Sequence, residues 1–268
     1  MPPLVTAPPP GYDSWTMWKV LSLSMLLAAC GAKLAEDANQ PGVDARLGVI
    51  DSGVIDPNVD ASIPSPDAPA IAARVVYLNF TGVTLTKGAS DATTNTASWL
   101  YQSTTGTAPA YAGGAAAIGT IVSGVTARLN NVATVTTTRP TSGDYIMIVY
   151  GGTNAQVHSF YGTAVNELDC GDTRKSDVAW ISGNVAPADA VDTTMGAIGF
   201  GLGLSSTALT DDCMCSWGNN CQRTTSPCVL RDGIARAQNV VTNPNTGTPQ
   251  LCPGATQDEI TTFTTAFH

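Results

Sequence analysis

Six cysteines, Cys170, Cys213, Cys215, Cys221, Cys228 and Cys252, crowd the C-terminal half of this 268-residue chain, while a seventh, Cys30, stands alone near its start. An even, clustered set can cross-link as three disulfides, in any of fifteen pairings. Zinc is the other use for four thiols lying between Cys213 and Cys228, but no C-x-x-C pair is present, so oxidation is the expectation. Imidazole chemistry is limited by number, since the two histidines are His158 and His268. His158 lies in a polar stretch with Ser159 and Tyr161, which reads as a solvated loop. Ser205 and Ser206 lack the G-x-S-x-G turn that presents a serine nucleophile. Asp169, Asp172 and Asp177 could contribute to a calcium site, yet they lack the EF-hand spacing and its glycine. Asp211 and Asp212 are adjacent, so their side chains should diverge, which suits a helix-ending loop better than a carboxylate pair.

Cys30 has a different setting. Lys19 supplies a positive end, residues 20–29 form a short apolar run, and Leu27-Ala28-Ala29-Cys30 reads as a lipobox with small residues before the cysteine. The run is too short to span a bilayer. Residues 1–16 are proline-rich and lack basic side chains, which favours Met17 as the true start. The expectation is a signal peptide over 1–29 and a lipidated Cys30 that holds the protein on a membrane surface. Gly31 and Ala32 put no aspartate at the sorting position, which points to the outer membrane or cell surface.

Residues 31–73 contain no aromatic side chain and repeat Pro, Ala and Asp, so they cannot bury enough apolar surface to offset ordering. They read as a tether. It carries seven acidic and two basic residues, so of the chain's net charge of -9 a balance of -4 is left for residues 74–268. A mildly acidic domain has no basic stripe for nucleic acid and no polybasic patch for anionic lipid.

From residue 74 the pattern changes to that of a packed domain. Arg74 to Phe80 alternates β-branched and aromatic residues, as a strand does. Ile118, Ile121, Val122, Val125 and Leu129 recur at spacings of three and four, which predicts an amphipathic helix over 114–132. Strands follow at 132–137, 145–150 and 177–182, the first two joined around Pro140 and Gly143. An apolar segment at 186–204, a cysteine-rich irregular region and a closing helix near 257–267 complete the chain. This order predicts a mixed α/β (α+β) sheet with helices, then a lobe held by disulfides rather than by a large core.

Residues 192–217, DTTMGAIGFGLGLSSTALTDDCMCSW, resemble the active-site region of the metzincin zinc peptidases, whose motif runs His-Glu-x-x-His-x-x-Gly-x-x-His with a methionine turn downstream. The motif glycine falls on Gly203 and the turn methionine on Met214, at a separation like that of the matrixin branch. The resemblance implies a zincin-like fold over about 74–217, with a former active-site helix ending near Gly203. The chemistry does not carry over. The three histidine positions hold Gly196, Phe200 and Ser206, and the general-base glutamate position holds Ala197. Two imidazoles a helical turn apart, a third beyond the glycine and a carboxylate beside them are what hold zinc and activate its water. The expectation is therefore no metal, no cofactor and no peptidase activity. A lipoprotein of this kind would act as a binding or structural module, its cleft open to an extended peptide or envelope protein. The rivals are an active hydrolase with an unrecognised site and an envelope lipoprotein unrelated to peptidases.

Overall fold

A computed structural model describes residues 74–215, 217–218 and 221–268. The expected signal peptide, the lipidated Cys30 and the tether over 31–73 lie outside the described residues. The domain begins with β1 (Val75–Asn79), β2 (Val83–Lys87), β3 (Thr96–Ala97) and β4 (Thr105–Ala108), followed by helix α1 (Gly114–Arg128). Next come β5 (Thr134–Thr136), β6 (Tyr145–Tyr150), the single turn α2 (Asn154–Val157), β7 (Ala164–Val165) and β8 (Val178–Ile181). Helix α3 (Pro187–Gly201), β9 (Ile234–Ala235), β10 (Thr256–Gln257) and α4 (Glu259–Ala266) complete it.

The main sheet has the order β5-β1-β6-β8-β7. Four strands run parallel and β7 runs antiparallel to β8 at one edge. Every residue of β6 and β8 is buried, as befits strands covered on both faces. The period of two sorts their side chains. Val76, Leu78, Ile146, Ile148, Tyr150, Ala179 and Ile181 share one core with Ile121 and Val125 of α1 and Met195 and Ile198 of α3. Tyr77, Tyr145, Met147, Val149, Val178 and Trp180 share a second core with Leu85, Ala97 and Ala108 of the small sheet β3-β2-β4.

The predicted strands and helices all form, within a few residues of their expected bounds. Two features depart from expectation. Residues 83–108 contribute the small sheet that covers the second face. His158 is exposed, as expected, and forms the left-handed C-cap of α2. The C-terminal region also shares the main core, because Trp217, Cys228, Phe263 and Phe267 pack into the cluster formed by α1, α3 and the sheet. It is not held by disulfides alone.

The six cysteines form Cys170–Cys252, Cys213–Cys228 and Cys215–Cys221. Disulfides fit an exported domain folded in an oxidising compartment, and no described helix is long and apolar enough to cross a membrane. The bridges span 82, 15 and 6 residues respectively. On the chain-entropy view, the longest should stabilise by about 4–5 kcal/mol and the shortest by about 2 kcal/mol. Denaturant unfolding of the paired alanine variants should reproduce that ranking. Alkylation of the unreduced, denatured protein should leave all six unlabelled, and two or more labelled thiols would contradict the pairing.

Candidate functional site

Helix α3 is buried from Asp192 to Gly201, which brings the positions that resemble the motif into the core. Its start carries Pro187 in the first turn, where a missing N–H does no harm. Its end is closed by Gly203. The Leu204 N–H donates to Gly199 O at 2.9 Å and the Gly203 N–H to Phe200 O at 3.2 Å, the paired bonds of a Schellman cap. Gly203 has φ +88°, and a Cβ there would lie 2.8 Å from Asp169 O. Glycine is thus required at 203 by backbone geometry and by the close pass of the 169–171 loop.

Gly196 and Phe200 meet one partner that sequence reasoning missed, Trp217. A Cβ on Gly196 would stand 2.5 Å from Trp217 Cδ1 and 2.8 Å from Cys213 O, so the indole occupies the space of a side chain there. Phe200 packs against the same indole with ring centroids 5.6 Å apart. Met214 lies under the next turn, its Sδ 2.6 Å from where a Cβ on Gly199 would be. Ala197 is buried, and its carbonyl accepts from Asn166 Nδ2 at 2.8 Å. Ser206 lies beyond the helix end, with its carbonyl accepting from Ala237 N and its hydroxyl buried without a hydrogen-bond partner among the described residues. The glycines on one face of an apolar helix were the signal that something bulky approaches it closely.

The cysteine pairing builds the wall beside this face. Cys213 and Cys215 flank Met214 and enter different bridges. Arg128 of α1 reaches across to the Cys213–Cys228 bridge, its Nη2 3.1 Å from Cys213 Sγ and 3.4 Å from Cys228 Sγ. Its Nη1 lies 3.5 Å from the buried Asp192 carboxylate of α3, which also accepts the Cys228 N–H at 3.1 Å. Arg223 approaches the other Asp192 oxygen at 3.7 Å.

Between this wall and the edge strand β7 runs a cleft of about 1090 Å³. Tyr161 to Asn166 line one side, Asp189 and Thr193 of α3 with the preceding Ala186 another, and Cys215, Trp217 and Gln222 to Ser226 a third. Ser182 N donates to Thr163 O at 2.8 Å, and Ala164 and Val165 pair with Ile181 and Trp180. Antiparallel pairing alternates hydrogen-bonded and open positions. Thr163 and Val165 therefore turn their backbone groups to β8, and Ala164 turns its N–H and C=O to the open edge. Asp189 and Arg223 are the charged side chains of the lining, so the cleft is close to neutral.

The three aspartates weighed for calcium do converge, with carboxylate oxygens within 4.8 Å of one another. Cations of the chain itself meet them. Arg74 Nη1 and Lys175 Nζ reach Asp172 at 2.7 and 2.6 Å, and Asp169 accepts from Thr173 Oγ1 and Arg174 N. Asp177 is left with longer approaches, 3.5 Å to Arg174 Nε and 3.8 Å to Arg74 Nη2. Burial outweighs those charges and pushes its carboxyl up to about 7. This reads as a structural ion-pair network that fastens the first residue of β1's approach to the 169–177 loop. Asp211 and Asp212, expected to diverge, instead meet one guanidinium: Asp211 Oδ2 lies 2.5 Å from Arg231 Nη2 and the buried Asp212 Oδ2 lies 3.5 Å from Arg231 Nη1.

No protein family matches the chain, and neither the curated proteins nor the solved structures yield a match.

The contact between Gly196 and Trp217 is open to a direct test. In an unconstrained helix Gly196→Ala should stabilise by up to about 1 kcal/mol. Here the added methyl must displace the indole, so the variant should instead lose about 1–3 kcal/mol and shift the tryptophan emission. A variant at least as stable as wild type would show that the turn is not pressed against α3.

Proposed function

We propose that this chain is an exported, lipid-anchored envelope protein with a zincin-like domain that has lost its metal site, and that its cleft binds an extended polypeptide. The observation that carries the reading is the open antiparallel edge of β7 facing the α3 surface across the cleft. An added strand could hydrogen-bond to Ala164, and recognition of this kind requires no metal. The sheet order, the end of α3 at Gly203 and Met214 beneath Gly199 support kinship with the metzincins. The side chains at the former ligand positions offer no route to the peptidase reaction. Gly196 and Ala197 carry no ligand or base, Phe200 is a hydrocarbon, and the lone hydroxyl of Ser206 cannot hold zinc.

Binding to an array of nonapeptides, read on the full chain, tests the cleft. Peptides that bind should lose at least tenfold in affinity on alternate backbone N-methylation, and the Ala164→Pro variant, which lacks the outward N–H, should lose a similar factor. Binders indifferent to both changes would overturn strand addition. The same preparation, exchanged into metal-free buffer, should contain no stoichiometric zinc and show no chelator-sensitive cleavage. One zinc per chain would mean that ligands come from elsewhere, with His158 the first residue to mutate.

The anchor rests on the lipobox at 27–30. Wild type should partition into detergent and Cys30→Ala into the aqueous phase. Identical soluble behaviour of both would remove the anchor from the proposal.

A further inference from the structure

Among the described residues Arg223 makes one ion pair, with the buried Asp192 of α3, where its Nε stands 3.7 Å from Oδ2. Arg128 approaches Oδ1 of the same carboxylate at 3.5 Å, and that oxygen also accepts the Cys228 N–H. One negative charge therefore faces two guanidiniums, and positive charge is left over on this wall. Arg128 Nη2 is engaged by the Cys213–Cys228 sulfurs, whereas Arg223 lines the cleft. The Arg223 side chain is 15% exposed, so its charge acts where water and salt enter only in part. Asp189, the other charge of the lining, is exposed in the first turn of α3, where solvent and the positive end of the helix offset it. The cleft is thus close to neutral in sum but positive where it is enclosed.

The segment that carries Arg223 is held at both ends. Cys221 is bridged to Cys215 and Cys228 to Cys213, and the Thr224 N–H donates to Thr210 O at 2.8 Å. A guanidinium on so short a fastened segment is positioned before a ligand arrives, which lowers the ordering cost of binding.

The pleat fixes which residue of an added strand would meet it. Ala164 packs against the core that α3 shares, and Val165 belongs to the core on the opposite face. Residues directly opposite one another on neighbouring strands send their side chains to the same face. The residue opposite Ala164 therefore points to the α3 side, where Arg223 stands beside Asp192, and its two neighbours point away. An antiparallel strand satisfies the N–H and C=O of Ala164 through that single residue, whereas a parallel one needs two, so the two-residue β7 favours the antiparallel direction.

We propose that Arg223 selects an acidic side chain, aspartate or glutamate, at the residue of the bound strand opposite Ala164. The inference rests on strand addition at β7 and names the class of polypeptide that the cleft takes. A guanidinium and a carboxylate pair through two parallel charge-assisted hydrogen bonds, which a neutral amide replaces only with weaker ones. A lysine at that residue would bring a third cation to a wall that already carries Arg128 and Arg223.

Acetylated, amidated nonapeptides bound to the full chain test the register and the charge separately. A single N-methyl group moved along the peptide should weaken binding most, about tenfold or more, at the residue opposite Ala164, because that residue donates its N–H to the edge. The acid should lie at the same residue. Replacing its glutamate by glutamine should weaken binding about tenfold, and by lysine further, while the same replacements one residue to either side change affinity less than about threefold. In Arg223→Gln the glutamate and glutamine peptides should bind within about threefold of each other. Equal binding of the two by wild type, an acid requirement at a neighbouring residue, or a glutamate preference that survives in Arg223→Gln would each overturn the role of Arg223 and leave strand addition standing. Indifference to the N-methyl group at every position would instead overturn strand addition, and the register argued from it. The peptide series on wild type needs no variant, so a substitution that fails to fold does not shelter the proposal.

Discussion

How closely the 213–217 turn can approach helix α3 sets the arrangement of the whole cleft side of the molecule. Gly196 and Gly199 leave α3 without side chains on the face that meets Trp217 and Met214. Interior glycines weaken a helix by about 1 kcal/mol each relative to alanine. The compensation is packing: the indole and the thioether enter the vacated space, and Phe200 closes against the indole from the next turn. Disulfides on both sides of Met214 then restrict the unfolded chain at the segment that must be placed most accurately. Arg128 ties the Cys213–Cys228 bridge to α1 and, through Asp192, back to α3.

Buried charge in this domain follows two different rules. Around Asp172 the carboxylate is met by Arg74 and Lys175 at ion-pair distance, so each charge leaves water together with its opposite. Asp177 is met only at longer range, and desolvation then dominates over attraction. The first arrangement fastens the start of β1 to the 169–177 loop. The second couples local structure to proton supply, because the neutral form of the acid is the one the interior accommodates.

Much of this architecture was legible in residue order. Val-Val-Tyr-Leu-Asn and Tyr-Ile-Met-Ile-Val-Tyr are long enough in β-branched and aromatic residues to specify central strands, and Ile121 with Val125 marks the buried face of α1. The small sheet was not legible, since Thr-Gly-Thr-Ala and the two-residue β3 carry too few apolar positions for a period to show. The edge strand β7 is two residues long, and its importance comes from where it sits rather than from what it contains. Disulfide pairing was beyond the sequence because fifteen arrangements satisfy the same count.

The remaining question is which parts of the motif-like stretch argue for descent from a peptidase and which are explained without it. Gly203 is required by the Schellman cap, so any helix ending in this way would select glycine there. Met214 fills the gap beside Gly199, which a buried turn needs whatever its history. Neither requirement bears on the far side of the cleft. Helix termination and turn packing do not call for an antiparallel strand at the edge of an otherwise parallel sheet, nor for its open backbone to face the same helix. An exposed edge is a liability that domains cover, charge or keep short, and β7, uncharged from Thr163 to Val165, is kept to two residues. The proposed strand addition therefore depends on the outward N–H and C=O of Ala164 and on the neutral cleft beside them, and not on a long open edge.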